Sequence, residues 1–304
     1  MEQLTKLYIV FIINPIAGTR SKADLPALIR NTIDTSLFNV DITFTEYAGH
    51  AEKIALECVN KGVNIVVAAG GDGTINEIGR NIVGTNTALG IIPLGSGNGL
   101  ARHLNIPLNI NEAIASFNKS AITSIDYGKA NGHIFFCTCG VGFDAHIGHV
   151  FAQQKTRGFW TYFNSVLREF SLYRPKKYKI ITKNGKIKRR AFLITFANAS
   201  QYGSNAYIAP RADIQDGLVD ISILEPFPIY SVPFIGFKLF SKNINKSHFV
   251  QILRTNKALL KRKKKDIFHF DGEPVKTGKK IEISIVRHGL KVFIPKSQNV
   301  ITFY

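Results

Sequence analysis

Cysteine is scarce in this chain of 304 residues, and so are acidic side chains. The three cysteines, Cys58, Cys137 and Cys139, are too few for a disulfide framework and lack the spacing of a metal site, which favours a reduced, intracellular protein. The apolar run at residues 7–13 is too short to span a membrane and has no signal-peptide cleavage site. We therefore expect a cytoplasmic protein whose contact with any membrane is peripheral.

Several common catalytic and cofactor motifs are also absent. The chain has no Gly-x-x-x-x-Gly-Lys-Ser/Thr loop, no Gly-x-Ser-x-Gly elbow, no His-Glu-x-x-His pair and no protein-kinase signature. These absences disfavour Walker-type ATPases and the other enzyme classes that the motifs identify. Residues 140–145 fit Gly-x-Gly-x-x-Ala, but they have no clear βαβ context or acidic ribose partner, so we interpret the match as coincidence.

The shortage of acidic residues leaves a formal charge of +18, from 39 basic and 21 acidic side chains. Such a charge predicts an anionic partner: nucleic acid, an acidic lipid surface or a phosphorylated substrate. Residues 174–190 carry nine basic side chains and residues 254–265 carry seven, with no acid in either run. The dipeptide Asn184-Gly185 in the first run predicts a β-hairpin, so these cations would lie on an exposed β-ribbon. A solvated face that keeps the protein soluble is the alternative interpretation of both runs.

Through the first 125 residues, short apolar runs alternate with segments whose apolar residues have the spacing of a helix. This alternation predicts an α/β domain with an open parallel sheet. The predicted strands lie at residues 7–13, 40–45, 63–69 and 88–93, and the predicted helices near residues 23–33, 50–60, 75–82, 101 and 111–118.

From Ile125 onward, short alternating segments separated by turn residues are typical of an antiparallel β-sandwich. Helices near residues 159–171 and 229–260 would interrupt it. We predict a nucleotide-binding α/β domain at residues 1–127, joined by a C-terminal return at 297–304, and a mainly antiparallel β-sandwich substrate domain at 128–296. The predicted strands of the second domain lie at residues 134–139, 178–182, 191–197, 218–224, 267–270, 281–285 and 291–294.

Two glycine-rich turns, residues 70–74 and 94–99, each follow a short strand that reads as buried and parallel. Ligands bind where such strands end, and glycine lets backbone N–H groups close on an oxyanion. We expect Asp72 to be free to face a metal ion or its waters, and Thr74 to donate its hydroxyl to phosphate. The helix predicted at residues 75–82 would point its N-terminal N–H groups at the same anion. The two turns therefore predict a phosphate-binding site.

Four ordered motifs extend this pattern over nearly the whole chain: Asn14-Pro15 with Gly18, residues 70–77, residues 93–98 and Asp271-Gly272-Glu273-Pro274. They occur in the order seen in the diacylglycerol kinase catalytic family, which includes bacterial lipid kinases, sphingosine kinases and ceramide kinases. Asn198, Tyr202-Gly203 and residues 209–213 and 216–220 are similar to the second-domain signature of that family. The resemblance implies a parallel sheet like that of NAD kinase and diacylglycerol kinase, and ATP-dependent phosphorylation of a lipid hydroxyl with ATP between the domains.

The resemblance also implies roles for individual residues. Thr45 and Ser96 would add hydroxyl contacts to the triphosphate, Asn14 would close the nucleotide side, and Glu273 would accept the proton of the incoming hydroxyl. Asp144 would face the substrate headgroup, or would simply cap a loop. The triphosphate itself would lie on Gly70, Gly71, Asp72, Gly73, Thr74, Ile75 and Asn76.

Two magnesium sites follow from the same resemblance. Asp271 and Asp72 would form a Mg²⁺ network through waters, because Mg²⁺ gives up its hydration reluctantly. Asp213, Asp216 and the carbonyl of Leu218 would hold a second Mg²⁺ that shapes the second domain. Asp216-Gly217 could equally be only a turn. The implied cofactors are Mg²⁺ and ATP, with ATP as the phosphate donor.

One position departs from many bacterial members, which carry Asp where this chain has Gly99. Gly99 makes the second turn more like that of the sphingosine and ceramide kinases, so a sphingoid base or ceramide competes with diacylglycerol as the substrate. More distant alternatives are an NAD kinase and a non-catalytic basic module that binds membrane or nucleic acid. We predict no nucleic-acid partner because no docking motif is recognised. The sequence leaves open whether two copies of the chain form a homodimer.

The apolar stretch at residues 227–240, followed by basic residues up to Lys265, resembles an interfacial element. Its apolar side chains would enter the headgroup region while its lysines meet an anionic membrane surface. A core-packed helix with a solvated basic end is the alternative.

Overall fold

The computed structural model describes residues 6–19, 21–152, 168–170 and 172–296. They form two compact units: unit 1 holds the described residues up to Ile125 and from His288 onward, and unit 2 holds Asp126–Arg287. The predicted boundary, between residues 127 and 128, lies two residues from this division. The predicted return at 297–304 lies outside the described residues, as does most of the helix predicted near 159–171.

Unit 1 contains the predicted parallel sheet, with strand order β2-β1-β3-β4. All three pairings are parallel, and β3 and β4 are buried along their whole length, as expected for apolar strands covered on both faces. Val292 of β16 pairs in parallel with Leu89 of β4 and extends the sheet. The strands are β1 (Leu7–Ile13), β2 (Phe38–Phe44), β3 (Ile65–Gly70), β4 (Ala88–Pro93) and β16 (Lys280–Pro295).

The helices of unit 1 follow the predicted alternation: α1 (Leu25–Thr32), α2 (His50–Asn60), α3 (Asp72–Ile82), α4 (Gly99–His103) and α5 (Ile110–Ser116). Helix α5 begins where the Asn109 side chain accepts hydrogen bonds from the backbone N–H groups of Asn111 and Glu112. Helix α3 begins at Asp72, three residues before the predicted start at Ile75. The glycine-rich turn therefore runs directly into the helix.

Unit 2 contains two antiparallel arrays that share one core. One array has the order β12-β11-β10-β7-β14-β15, and in the other β9, β8, β13 and residues 280–284 of β16 are neighbours. Ile194 and Phe268 of the first array pack in the same buried cluster as Ile180 and Leu260 of the second. The predicted α/β plus antiparallel β-sandwich architecture is confirmed.

The remaining strands are β5 (Ser120–Ala130), β6 (His133–Phe135), β7 (Thr138–Gly142), β8 (Lys176–Thr182), β9 (Gly185–Ala191), β10 (Leu193–Ala197), β11 (Val219–Leu224), β12 (Val250–Thr255), β13 (Lys257–Arg262), β14 (Asp266–Phe270) and β15 (Glu273–Thr277). Two further helices are α6 (Phe143–Ala152) and α7 (Val232–Phe240). Short 3₁₀ turns occur at Phe117–Lys119, Ile229–Ser231 and Ile244–Lys246. Strands β8 and β9 form the hairpin predicted at Asn184-Gly185, with Gly185 at a φ of 128°.

The helix predicted over residues 229–260 is wrong beyond Phe240. Residues 250–262 instead form β12 and β13, interrupted only at Asn256. In β13 the buried positions Ala258, Leu260 and Arg262 alternate with lysines and Leu259, which is the period of a strand rather than of a helix. The basic run that begins at Arg254 therefore lies partly on a sheet.

Candidate active site

Four loops follow one edge of the parallel sheet in unit 1, at the ends of β2, β1, β3 and β4. The backbone N–H of Thr45 donates to the Ile13 carbonyl at 2.9 Å, and that of Asn14 donates to the Ala69 carbonyl at 2.9 Å. The N–H of Leu94 donates to the carbonyl of Gly70, also at 2.9 Å. The predicted ATP-binding residues thus lie on adjoining loops, which we call the loop cluster: residues 14–18, Thr45, 70–76 and 94–99.

Glycine is required where these loops touch. A Cβ on Gly95 would lie 2.7 Å from the Cα of Gly71, so the two glycine-rich turns pack backbone against backbone. A Cβ on Gly18, whose φ is 63°, would lie 2.2 Å from the Leu94 carbonyl oxygen. Gly70 makes room for Thr74, whose Oγ1 would lie 2.4 Å from a Cβ there. No larger residue fits these positions without moving the loops.

Asp72 joins the two glycine-rich turns through its carboxylate. Its Oδ1 accepts a hydrogen bond from Gly99 N at 2.8 Å, and its Oδ2 accepts one from Asn98 N at 2.9 Å. A Cβ on Gly97 would approach Oδ2 to 2.7 Å. Burial raises the pKa of Asp72, and the backbone N–H groups of Gly99 and Asn98 oppose that rise by stabilising the carboxylate. Each Asp72 oxygen thus accepts one backbone N–H of the second turn, and the expectation that Asp72 faces a metal ion or its waters stays a prediction.

Thr74 and Asn14 form a second link within the loop cluster. The Asn14 amide donates to Thr74 Oγ1 at 3.0 Å, which leaves the Thr74 hydroxyl hydrogen for another acceptor. The first turn of α3 lies in the loop cluster, and the N–H groups of a helix's first turn have no acceptor within the helix. Ser96 and Gly73 are exposed, whereas Thr45 and Asn76 are buried, and Ile75 N donates to the Gly71 carbonyl. The cluster offers backbone N–H and hydroxyl donors, which fit an oxyanion such as a triphosphate.

In unit 2, Asp271-Gly272 is the two-residue turn that joins β14 to β15, with Glu273 paired opposite Phe270. The φ values of Asp271 and Gly272 are 49° and 87°, which suits the Asp-Gly hairpin turn. Asp271 N donates to the Thr138 carbonyl at 2.8 Å. Glu273 is exposed at the first position of β15. The hairpin turn therefore leaves the side chain of Glu273, the predicted proton acceptor, exposed in unit 2.

The Asp271 carboxylate is occupied by backbone donors between β6 and β7. Oδ2 accepts from Phe136 N at 2.7 Å, and Oδ1 accepts from Cys137 N and Thr138 N, both at 2.8 Å. These charge-assisted bonds fix the turn to the loop that interrupts the strand predicted at residues 134–139. The structure thus gives Asp271 a positioning contact, and its magnesium role stays a prediction.

Asp144 belongs to a polar cluster that sequence reasoning missed. Asp144 Oδ2 accepts hydrogen bonds from Thr195 Oγ1 at 3.0 Å and from Tyr202 Oη at 3.2 Å. His269 Nε2 lies 3.1 Å from the same oxygen. The His269 side chain is only 4% exposed, and a Cβ on Gly140 would come within 3.0 Å of its Nε2. Gly140 therefore leaves the space in which Asp144 and His269 meet.

His269 connects this cluster to the Glu273 hairpin. Gly272 N donates to His269 Nδ1 at 3.4 Å, so Nδ1 is the acceptor and Nε2 carries the proton toward Asp144. The position of His269 on β14, two residues before Asp271, was the available sequence signal. Its partners could not be identified that way, because Asp144 and Thr195 come from distant parts of the chain.

Asp213 and Asp216, which the resemblance implies for the second magnesium site, already accept hydrogen bonds within unit 2, and their magnesium role stays a prediction. Asp213 Oδ1 accepts from Gln215 N at 2.9 Å, and Asp216 Oδ1 accepts from Leu218 N at 2.8 Å. The Arg254 guanidinium donates to Asp216 Oδ2 and, at 2.7 Å, to Asp220 Oδ1. Burial raises the pKa of Asp216 and of Asp220, and the positive charge of Arg254 opposes the rise. Over the described part of the chain, no three His, Cys, Asp or Glu side chains are arranged to hold a metal ion. At this predicted site the structure places a guanidinium beside the carboxylates.

The stretch predicted as an interfacial element is half packed and half exposed. Ile235 of α7 is 9% exposed and lies in a buried cluster with Phe192 and Leu224. We call the opposite side the apolar surface; it comprises Ile229, Tyr230, Phe234, Phe237 and Phe240, each at least 58% exposed. Within the described residues, no helix combines the length and apolar character needed to cross a membrane.

Comparisons with known proteins agree with the geometry. Residues 8–130 match the family described as the diacylglycerol kinase catalytic domain, and residues 137–293 match the YegS C-terminal NAD kinase beta sandwich-like domain. A Pseudomonas aeruginosa protein named "Probable lipid kinase YegS-like" is 30% identical over 251 residues, which cover 81% of this chain and 82% of that one. A protein of the same name from Yersinia pestis is 29% identical over 88% of this chain and 90% of its own length.

The fold is also that of a solved bacterial protein. The crystal structure of a diacylglycerol kinase from Bacillus anthracis superposes with a TM-score of 0.75 at 22% identity, covering 96% of this chain and 98% of that one. With two family domains in order and a relative at 30% identity over four fifths of its length, the chain belongs to the lipid kinase family that comprises diacylglycerol kinases and the YegS-like proteins.

Proposed function

We propose that this lipid kinase transfers the γ-phosphoryl group of ATP to the hydroxyl of diacylglycerol or a related lipid alcohol. The loop cluster of unit 1 binds the triphosphate, and Glu273 of unit 2 accepts the proton of the lipid hydroxyl. The observation that carries the proposal is the Asp72 bridge, because it fixes two glycine-rich turns into one array of oxyanion donors.

On the nucleotide side, this chain's residues bind and orient. Thr74 donates its hydroxyl to a phosphate oxygen while Asn14 holds the Thr74 side chain in place. The N-terminal N–H groups of α3 face the same anion. Phosphoryl transfer asks a protein mainly for such positioning and for neutralisation of charge. Mg²⁺, which would enter with the triphosphate, supplies part of that neutralisation when bound.

On the acceptor side, the Glu273 carboxylate takes the hydroxyl proton as the lipid oxygen attacks the γ-phosphorus, and ADP leaves with the electron pair of the broken P–O bond. Asp271 holds the hairpin from one side through residues 136–138. His269 holds Gly272 from the other. Asp144 orients His269, and we retain it as a candidate contact for the substrate headgroup.

We further propose that the enzyme works as a peripheral protein on the lipid surface that contains its substrate. The apolar surface of α7 and the 3₁₀ turn before it supports this, because five large side chains stay exposed where a core-packed element would bury them.

The variant Glu273→Gln tests the acceptor role. We expect turnover to fall about 10²-fold or more, the range for loss of a general base. ATP affinity and melting temperature should stay unchanged, because Glu273 is exposed. Glu282→Gln, an exposed glutamate on β16, is the matched control. Turnover is measured with labelled ATP and a total lipid extract, and the labelled product is identified by mass. Wild-type turnover in Glu273→Gln would refute the assignment.

A sphingoid base or ceramide is the second candidate substrate, and Gly99 favours it. At this position the chain offers a backbone N–H, which donates to Asp72, and no carboxylate side chain. The product mass from the lipid extract distinguishes the two substrate classes.

A further inference from the structure

Two basic segments that lie about 70 residues apart in sequence come together on one outward sheet face of unit 2. Strands β9, β8 and β13 line an open groove of about 510 Å³. We call it the cationic face; its side chains are Lys177, Lys179, Lys188, Arg190, Lys261 and Lys263.

The strand register places these cations directly opposite one another. Lys179 pairs with Lys188 on one side and with Lys261 on the other, and Lys177 pairs with Arg190. Lys261 pairs in turn with Lys280 of β16, so four lysines form one row across four strands. Opposed residues in an antiparallel sheet have Cβ atoms about 5 Å apart, and like charges there are destabilising. A row of four lysines is therefore a local cost to folding.

The opposite face of the same strands carries the residues that pack inward. Tyr178, Ile180 and Leu260 alternate with the cations and pack in the sandwich core. The cations thus share the outward side because of the strand period, not because of a local sequence run. This arrangement could not be inferred from either basic segment alone.

Among the residues that the structure describes, none of the six cations of the cationic face forms an ion pair with a carboxylate. Ion pairs in this region, Lys176 with Asp266 and Arg189 with Glu225, involve the alternate positions instead. An array of unpaired cations retained at a cost to stability is what an anionic surface would attract.

We propose that the cationic face binds the surface of a lipid bilayer through its anionic headgroups. The inference rests on the proposed lipid kinase function, since that substrate resides in a bilayer. A single-stranded nucleic acid fits less well, because its bases stack on exposed aromatic rings. Tyr178 is the aromatic residue next to the groove, and its side chain packs in the sandwich core and is 4% exposed. Each cation near an anionic membrane strengthens binding about fivefold.

The test compares two triple variants of the full chain. One carries Lys179→Gln, Lys188→Gln and Lys261→Gln in the cationic face. The matched control, with the same loss of charge, carries Lys53→Gln, Lys61→Gln and Lys119→Gln, all exposed in unit 1. Sedimentation with vesicles of phosphatidylglycerol and phosphatidylcholine should show about 10²-fold weaker binding for the first triple and much less change for the control. The first triple variant removes like charges that face one another across the strands. Its melting temperature should therefore be no lower than that of the wild type.

Three further measurements separate the outcomes. Vesicles of phosphatidylcholine alone should not distinguish the first triple from wild type, since they present no net anionic charge. Phosphorylation of lipid dispersed in neutral detergent should be the same in both triples and wild type, because no changed residue belongs to the proposed site. If the wild type phosphorylated no lipid, the proposed kinase function would be contradicted. The vesicle measurements would still test separately whether the cationic face binds anionic lipid.

Equal loss of vesicle binding in both triples would overturn the proposal, because net charge and not this face would then govern attachment. It would also be overturned if the first triple lost affinity for a single-stranded oligonucleotide while its vesicle binding stayed at the wild-type level.

Discussion

We expect Arg254→Met to lower the free energy of unfolding by about 2 kcal/mol at neutral pH. Removing one partner of a fully buried ion pair costs about 3–5 kcal/mol, whereas an exposed pair contributes about 0–1 kcal/mol. Arg254 lies between these cases, since its side chain is 45% exposed while that of Asp220 is 3% exposed. The loss arises mainly because Asp220 would keep a buried charge with no guanidinium beside it.

The deficit should depend on pH. Burial raises the pKa of Asp216 and Asp220, so in the wild type their ionisation disfavours the folded state, and this cost sets in as pH rises from the ordinary carboxyl pKa through the raised one. Arg254 opposes the rise, so its removal pushes both pKa values further up. Lowering the pH through that higher range protonates the unpaired carboxyls, and the stability difference between variant and wild type should shrink.

Metal dependence provides the second half of this prediction. If Arg254 supplies the positive charge at the carboxylates of residues 216 and 220, a chelator should leave the melting temperature of the wild type unchanged. Mg²⁺ should raise the melting temperature of Arg254→Met, where the carboxylates lack their guanidinium, and should not raise that of the wild type. Thermal unfolding followed by circular dichroism, with chelator or Mg²⁺, measures all of these.

Arg189→Met is the matched control, because Arg189 pairs with Glu225 at 3.1 Å and both side chains are at least 40% exposed. Its effect should stay below about 1 kcal/mol and should not respond to Mg²⁺. Destabilisation of the wild type by a chelator would refute the reasoning, since a bound divalent cation would then be part of the folded unit.

Two further predictions concern the carboxylates that tie loops together. Asp72→Asn places an NH₂ group against one of two backbone donors, and it should weaken ATP binding about tenfold or more by loosening the second turn, as measured by calorimetry. Unchanged affinity would show that the bridge does not shape the phosphate site. Asp271→Asn removes charge from three backbone hydrogen bonds and should lower stability by about 2 kcal/mol in urea unfolding. An effect no larger than that of Glu282→Asn would contradict the positioning role.

Some elements of the fold could be predicted closely. Strand β1 and helix α2 have the predicted bounds, Leu7–Ile13 and His50–Asn60, because each is a strongly periodic segment between clear turn residues. The hairpin at Asn184-Gly185 could be predicted because asparagine suits a turn and glycine tolerates the positive φ that Gly185 has where β9 begins. Local chemistry was sufficient in these cases.

Segments with mixed signals were misjudged. Residues 250–262 were predicted as helix, yet they form two strands, because pairing with β11, β8 and β16 outweighs a weak local preference. The strand predicted at residues 134–139 is broken because the Asp271 carboxylate takes the N–H groups of Phe136 and Cys137. Both outcomes depend on partners that are distant in sequence.

For the candidate site, residue types and motifs indicated the family and the loops, since two glycine-rich turns at strand ends occur in order with the other motifs of that family. How the side chains are used could not be inferred in this way. The hydrogen bonds of Asp72 to Asn98 and Gly99, and those of Asp144 with His269 and Thr195, join residues from separate elements.

From the sequence alone came the two-domain α/β plus β-sandwich architecture, the two glycine-rich turns at strand ends and membership of a lipid kinase family, because periodicity and short motifs are local properties of the chain. Tertiary structure alone decided that the carboxylates of Asp72, Asp216 and Asp271 contact backbone N–H groups or Arg254, and that two basic segments share one face. Hydrogen-bond partners and strand register are set by packing between distant segments, and the local pattern does not contain that information.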